Sequence, residues 1–89
     1  MSIVRIDSIA IRDSLLKFGE KRGLTKTFCP SEVARQLYGE KDEGWRELMQ
    51  PVRDEAKKLI NENLLVCIQQ GQITDIEKAR GPIRLQIKK

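Results

Sequence analysis

Four polar residues with hydrogen-bonding side chains recur at helical spacing in the middle of the chain. They are Arg46, Gln50, Arg53 and Lys57. This spacing places them on one side of an α-helix. Guanidinium and amide groups form paired hydrogen bonds with guanine and adenine edges, and an ammonium group contacts phosphate. The row therefore predicts a helix surface that contacts duplex DNA.

The stretch 45–63 has an apolar stripe on its other side. The stripe consists of Trp45, Leu48, Met49, Val52, Ala56, Leu59 and Ile60. Its helical repeat predicts that this side packs onto a core, with Trp45 inside it. Pro51 lacks an N–H and clashes with the preceding turn of a helix. We therefore expect a first turn from Trp45 to Met49, then a kink, with Pro51 near the start of the main helix.

The charge of this helix leaves two interpretations open. Residues 45–63 contain four basic and four acidic residues, so the helix is neutral overall. Glu47 and Asp54 flank the basic row and are able to pair with it. In that case the row is a solvated face or a protein contact, and it does not touch nucleic acid.

The C-terminal part of the chain supplies a second set of cations, Arg80, Arg84 and Lys88. We expect these side chains to lie along a phosphate backbone, where cations contribute affinity without sequence information. In the alternative interpretation, Arg80 and Arg84 organise the local hairpin by binding backbone carbonyls or a carboxylate.

The segment from Cys29 to Glu32 has the composition of a helix start. Pro30 suits the first helical position, and the Glu32 carboxylate is placed to reach back in a capping box with Cys29 at the usual Ser or Thr position. Ser31 and the neighbouring N–H groups are predicted to bind one DNA phosphate. A helix N-terminus also lowers a thiol pKa, so a reactive Cys29 is the alternative to a purely structural one.

Helical periodicity, caps and alternation divide the chain into six elements. The predicted helices span 7–22, 30–38 and 45–63, and the predicted strands span 24–29, 64–69 and 83–87. Residues 70–72 form a predicted turn, followed by a loop at 73–82. This order is typical of a winged helix-turn-helix, an α+β fold with a three-helix core, a small antiparallel sheet and a long wing loop. We expect residues 1–89 to form one such domain.

The composition of the chain argues against several classes of function. The chain has 89 residues, a formal charge of +4 and no histidine, and its two cysteines are Cys29 and Cys67. It lacks a cysteine cluster, a glycine-rich phosphate loop and a serine beside a base, so we expect no metal, no cofactor and no enzymatic activity. The N-terminal residues have acids within their apolar stretch, so we expect no signal peptide there, and the chain has no long apolar run. We therefore expect a cytoplasmic protein with reduced thiols and no membrane partner.

Four motifs in order resemble a known family. They are Arg22-Gly23, Thr27–Arg35 (TFCPSEVAR), Trp45–Arg53 (WRELMQPVR) and Ala79–Leu85 (ARGPIRL). With them the chain resembles a family of small bacterial winged-helix-like proteins of unknown function. The resemblance implies the fold and implies no activity.

These observations lead to two functional hypotheses. The first is a DNA-binding protein that uses the third helix, the start of the second and the basic wing. The second is a protein-interaction module or a homodimer that uses the same surface. RNA binding is a weaker third hypothesis, because the chain has four aromatic residues and most are predicted to be buried.

Overall fold

The computed structural model describes residues 6–39 and 43–88. Within these ranges the helices are α1 (Ser8–Arg22), α2 (Pro30–Tyr38) and α3 (Met49–Asn61), and the strands are β1 (Leu65–Gln69), β2 (Gln72–Ile73) and β3 (Arg84–Ile87). A 3₁₀-helix, Glu43–Leu48, leads directly into α3. The predicted α+β class, with three helices and a small antiparallel sheet, is confirmed.

Local capping residues set the ends of the first two helices. The Asp7 carboxylate accepts a hydrogen bond from the Ala10 N–H at 2.9 Å, which begins α1. The Glu32 carboxylate accepts from the Cys29 N–H at 2.7 Å, which begins α2. Gly23 and Gly39 end the two helices with φ of 82° and 103°, a backbone region that glycine adopts without steric cost. These ends agree with the sequence prediction.

The third helix differs in detail from the predicted 45–63. Its first turn is the 3₁₀-helix, and the regular α-helix begins at Met49 and ends at Asn61. Pro51 is the third residue of α3, where its missing N–H would have no helical partner in any case. Asn63 then takes a φ of 65°, which turns the chain into β1. The expected separate first turn is therefore present as a 3₁₀-helix, which begins earlier than predicted, at Glu43, and ends at Leu48.

The sheet has the order β2-β1-β3 and is antiparallel throughout. Gln70 and Gly71, with φ of 53° and 79°, make the turn between β1 and β2. The sequence predicted the turn but not β2, because a two-residue strand has no alternation to detect. The predicted strand 24–29 is also shorter than expected. It contributes a single bridge, in which Phe28 and Leu85 exchange backbone hydrogen bonds of 2.8 and 2.7 Å.

The core lies between the helices and one face of the sheet. Its fully buried side chains come from the three α-helices, from both longer strands and from the Phe28 bridge, and they include Leu15, Phe28, Val33, Val52, Leu59, Leu65, Cys67 and Leu85. The Phe28 ring also packs on Phe18 of α1, with ring centroids 5.8 Å apart. Because α3 turns Val52 and Leu59 inward, its opposite side lies at the surface.

Candidate nucleic-acid interface

Three residues of the predicted row meet in one surface groove. Gln50, Arg53 and Lys57 line a cavity of about 380 Å³ between α3 and the turn that follows β2. The remaining lining residues are Asp54, Ile76 and Glu77. We call this cavity the α3 groove. One of its lining residues, Ile76, belongs to the hydrophobic core, with 8% of its surface exposed.

The polar groups of the α3 groove largely compensate one another. The Gln50 amide donates to the Asp54 carboxylate at 2.9 Å. Lys57 forms an ion pair with Glu77, and this hydrogen bond raises the pKa of the Lys57 ammonium. The groove therefore contains two cations and two carboxylates. The carboxylates of this groove belong to Asp54 and Glu77. The sequence had instead indicated Glu47 and Asp54 as the partners of the basic residues.

Arg53 is the exception in this groove. Its half-buried guanidinium has no hydrogen bond or ion pair within residues 6–39 and 43–88. Its charge acts on the thiol of Cys67, in β1. Burial raises the pKa of Cys67, the positive charge of Arg53 lowers it in part, and Asp75 raises it. Arg53 is therefore the groove cation with donors available to a ligand.

Arg46 stands apart from the α3 groove, on the 3₁₀-helix. It donates to Glu43 at 3.2 Å, and its guanidinium lies 4.6 Å from the centroid of the Trp45 ring. Arg35 of α2 approaches the same ring at 4.4 Å. Trp45 is half-buried and packs against the core. The sequence interpretation did not include Arg35 in this surface. The place of Arg35 on the polar side of α2, away from the buried Val33 and Ala34, could have indicated it.

The cations of the hairpin have different surroundings. Arg84 donates to the Thr27 hydroxyl at 2.6 Å and to the Thr27 carbonyl at 3.2 Å, so it binds a backbone carbonyl that lies outside the hairpin, between α1 and α2. Arg80 is exposed; its backbone carbonyl accepts from the Gln69 amide at 2.5 Å. The Lys88 ammonium lies 3.4 Å from the Asn63 amide oxygen. Arg80 and Lys88 thus keep exposed cationic groups, while Arg84 is held against the chain between α1 and α2.

The start of α2 is a hydrogen-bonded cluster. The Ser31 hydroxyl donates to the Cys29 sulfur at 3.0 Å. The Glu32 carboxylate, besides capping α2, accepts from the Arg22 guanidinium at 2.5 Å. Cys29 and Cys67 are both free thiols, Cys29 half-buried and Cys67 buried. The predicted capping role of Glu32 is therefore confirmed, and Ser31 lies beside this cap.

One known protein family matches the chain over the helices and strands described above. A family model described as a protein of unknown function (DUF3253) matches residues 8–88, from the start of α1 to the end of β3. The chain belongs to the DUF3253 family. A search of curated proteins found no match. The expected membership of a family of unknown function is confirmed, and the family description assigns no activity to DUF3253 chains.

Two further features of this DUF3253 chain concern partners. No helix in the described ranges is long and apolar enough to cross a lipid bilayer. Among the same residues, no group of three or more Cys, Asp or Glu side chains is arranged to hold a metal ion.

The Glu32 carboxylate is expected to make the stability of this DUF3253 chain depend on pH in the acid range. Desolvation alone would raise its pKa, but the Cys29 N–H and the Arg22 guanidinium together lower the pKa below its usual value. A lowered carboxyl pKa contributes stability above the unfolded-state pKa of about 4.3, and that stability is lost as the pH falls through the folded-state value. We therefore expect Glu32→Gln to be less stable at pH 7, by roughly 1 kcal/mol, and to lose less stability on acidification.

Urea unfolding at pH 7 and at pH 3.5 measures both effects. Glu47→Gln is the matched control, because Glu47 is exposed and has no hydrogen bond or ion pair to any described residue. If the Glu32 and Glu47 variants lose equal stability between the two pH values, the role assigned to Glu32 is wrong.

Proposed function

We propose that this chain is a cytoplasmic, non-enzymatic winged-helix protein that binds duplex DNA through the α3 groove and the adjacent hairpin. The order of elements supports the winged-helix assignment. A bridge at Phe28 stands between α1 and α2, α3 follows α2, and the loop between β2 and β3 takes the place of a wing. The Phe28–Leu85 bridge is the position at which such a fold adds its short first strand to the sheet.

Arg53 is the observation on which the proposal depends most. It has free donors, it is half-buried on the polar side of α3, and it shares one groove with Gln50 and Lys57. In the proposed complex Arg53 contacts a guanine edge and Gln50 contacts an adenine edge in the major groove. Gln50 first releases Asp54, and Lys57 exchanges Glu77 for a phosphate. Both exchanges are inexpensive, because exposed pairs of this kind contribute about 0–1 kcal/mol.

The remaining predicted residues supply backbone contacts in this proposal. Arg80 and Lys88 are exposed cations on the hairpin side, and Ser31 lies at the start of α2, where helix N–H groups favour a phosphate. Arg46 contributes a phosphate contact from the 3₁₀-helix. Arg84 acts indirectly, by tying β3 to Thr27 and so positioning the loop before it.

A titration of fluorescently labelled random-sequence duplex DNA, followed by anisotropy at several salt concentrations, tests the proposal. Three to four ionic contacts predict a slope of log K against log salt of about −3. Binding that does not depend on salt, or no binding near roughly 50 mM salt, would contradict DNA contact by this surface.

The balanced charge of the α3 groove supports a second candidate, a protein-interaction module or homodimer. Two cations and two carboxylates form a neutral polar surface, and Ile73 on the neighbouring strand β2 is 77% exposed. Light scattering coupled to size exclusion distinguishes the two candidates. A dimer that Arg53→Glu dissociates supports the module and counts against DNA as the partner of this groove. A monomer that binds the duplex supports the first proposal.

A further inference from the structure

A second groove lies between α1 and α2, and its lining shares no residue with the α3 groove. It has a volume of about 280 Å³ and is lined by Ser14, Lys17, Phe18, Lys21, Arg22 and Gln36. We call it the α1–α2 groove. Three of its six lining residues are cations and none is a carboxylate. The α3 groove, in contrast, has two carboxylates among its lining residues.

The two lysines of the α1–α2 groove have uncompensated charges. Lys17 and Lys21 are four residues apart on α1, so their side chains are neighbours on one face. Neither forms an ion pair with any residue of the described ranges. Glu20 lines a different groove, together with Gly23, Leu24 and Ile87. The positive potential of the lysines is therefore available to a ligand.

Arg22 is held in a fixed position at the end of the groove. Its guanidinium donates to the Thr27 carbonyl at 3.2 Å and to Glu32 at 2.5 Å. A guanidinium has five N–H donors, and these bonds use two of them. Glu32 already balances part of the Arg22 charge, so Arg22 offers an incoming anion its remaining N–H donors in an ordered position, which reduces the entropy lost on binding.

The groove also has an apolar wall and a basic extension. Phe18 lies between the lysines in sequence, and its ring is held against the buried Phe28 ring. A neighbouring trough shares Phe18, Arg22 and Gln36 and adds Glu32 and Arg35. Arg35 in turn lies over Trp45. Cationic and aromatic side chains, with the Glu32 carboxylate among them, therefore line a surface that begins at α1 and continues across α2.

We propose that the α1–α2 groove binds phosphate esters. The phosphate lies among Lys17, Lys21 and Arg22, because ammonium and guanidinium groups form charge-assisted hydrogen bonds with its oxygens. The organic group of the ester packs on the Phe18 ring, and Ser14 and Gln36 donate or accept hydrogen bonds at its edge. The proposal does not depend on DNA binding by α3. Two sources supply this chemistry, a mononucleotide and the backbone of a single-stranded oligonucleotide.

Titrations of ¹⁵N-labelled protein followed by NMR locate the site. The three probes are inorganic phosphate, a mononucleotide and a short single-stranded oligonucleotide. We expect the amide signals of residues 14–22 and of Gln36 to shift with both esters, and more strongly than with inorganic phosphate. A tighter response to the oligonucleotide, with shifts that extend to Arg35 and Trp45, identifies the backbone as the source. A response confined to the groove and equal for both esters identifies the mononucleotide.

A double variant tests whether the lysines form the site. Lys17→Gln/Lys21→Gln removes two charges from exposed positions on α1, and Lys26→Gln/Lys78→Gln removes the same charge from exposed positions outside the groove. We expect the first variant to weaken binding of the tighter ester roughly tenfold and the control to change it much less. For the oligonucleotide, the salt slope falls by about 1.4 in the first variant only.

Three outcomes would overturn the proposal. The first is the absence of shifts in residues 14–22 with either ester. The second is an equal loss of affinity in both double variants, which indicates unspecific attraction to a basic protein. The third is a response confined to α3 and abolished by Arg53→Ala, which assigns the ester to the α3 groove. Circular dichroism of both variants checks that the fold is retained.

Discussion

The Phe28→Ala variant is expected to lose about 3–5 kcal/mol of unfolding free energy. The Phe28 side chain is fully buried, and its ring packs on Phe18. Its removal leaves a cavity where α1, the Phe28 bridge and β3 meet, and the backbone bonds to Leu85 lose the side chain that positions them. Since small domains have a total stability of about 5–15 kcal/mol, this one change brings the protein close to unfolding.

Urea unfolding followed by circular dichroism measures this loss. Ile73→Ala is the control, because Ile73 is 77% exposed and its truncation should change stability by no more than about 0.5 kcal/mol. If Phe28→Ala unfolds at the same urea concentration as Ile73→Ala, the ring does not hold the sheet to α1 as the structure indicates.

The second large effect concerns duplex DNA. Arg53→Ala is expected to weaken binding by about 1–3 kcal/mol, or roughly 5- to 150-fold, because a paired contact with guanine is lost. It should also relax the preference for one base at a single position of the site. Both effects are measurable by anisotropy competition among duplexes that differ at one base pair.

Arg12→Ala is the matched control for Arg53→Ala. Arg12 is also an arginine at the surface, but it forms a two-point ion pair with Glu62, away from the α3 groove. Its removal lowers the net charge by the same amount. A similar fall in affinity for both variants would mean that Arg53 contributes only general charge, and the proposed role of α3 in base recognition would be wrong.

Sequence patterns predicted those parts of the fold that depend on nearby residues. The caps at Asp7 and Glu32 involve groups three residues apart, so their spacing is visible in the sequence. The apolar stripe of α3 is equally local, and Val52, Ala56 and Leu59 are buried as expected. Helical spacing also predicted correctly that Gln50, Arg53 and Lys57 share one surface.

The parts that escaped prediction depend on residues far apart in the chain. Lys57 pairs with Glu77, and Arg84 binds Thr27 across 57 residues. No periodicity encodes such pairs, because they arise only when distant segments pack together: α3 with the turn after β2, and β3 with the segment between α1 and α2. The burial of Glu55 is another feature that the sequence did not predict. This residue is only 7% exposed although it belongs to neither the apolar stripe nor the basic row, and it is held by Lys58 at 3.0 Å.

Large separations in the sequence also explain why the α1–α2 groove was not recognised from the sequence. Lys17 and Lys21 are visible there as two lysines on a helix, which is common at protein surfaces. Their significance depends on Arg22 being fixed by Thr27 and Glu32, and on Gln36 closing the other side. Tertiary packing of α1 against α2 creates that arrangement.

The link between the chain around Phe28 and β3 has a consequence for synthesis on the ribosome. Thr27 and Arg84 are separated by 57 residues, which take about 3–11 s to translate. During that interval α2 and α3 are made, but β3, which pairs with Phe28, is not yet made. The nascent chain therefore exposes apolar surface for seconds, and chaperone binding competes with aggregation in that period. The bridge between Phe28 and Leu85 forms only after Leu85 has been made.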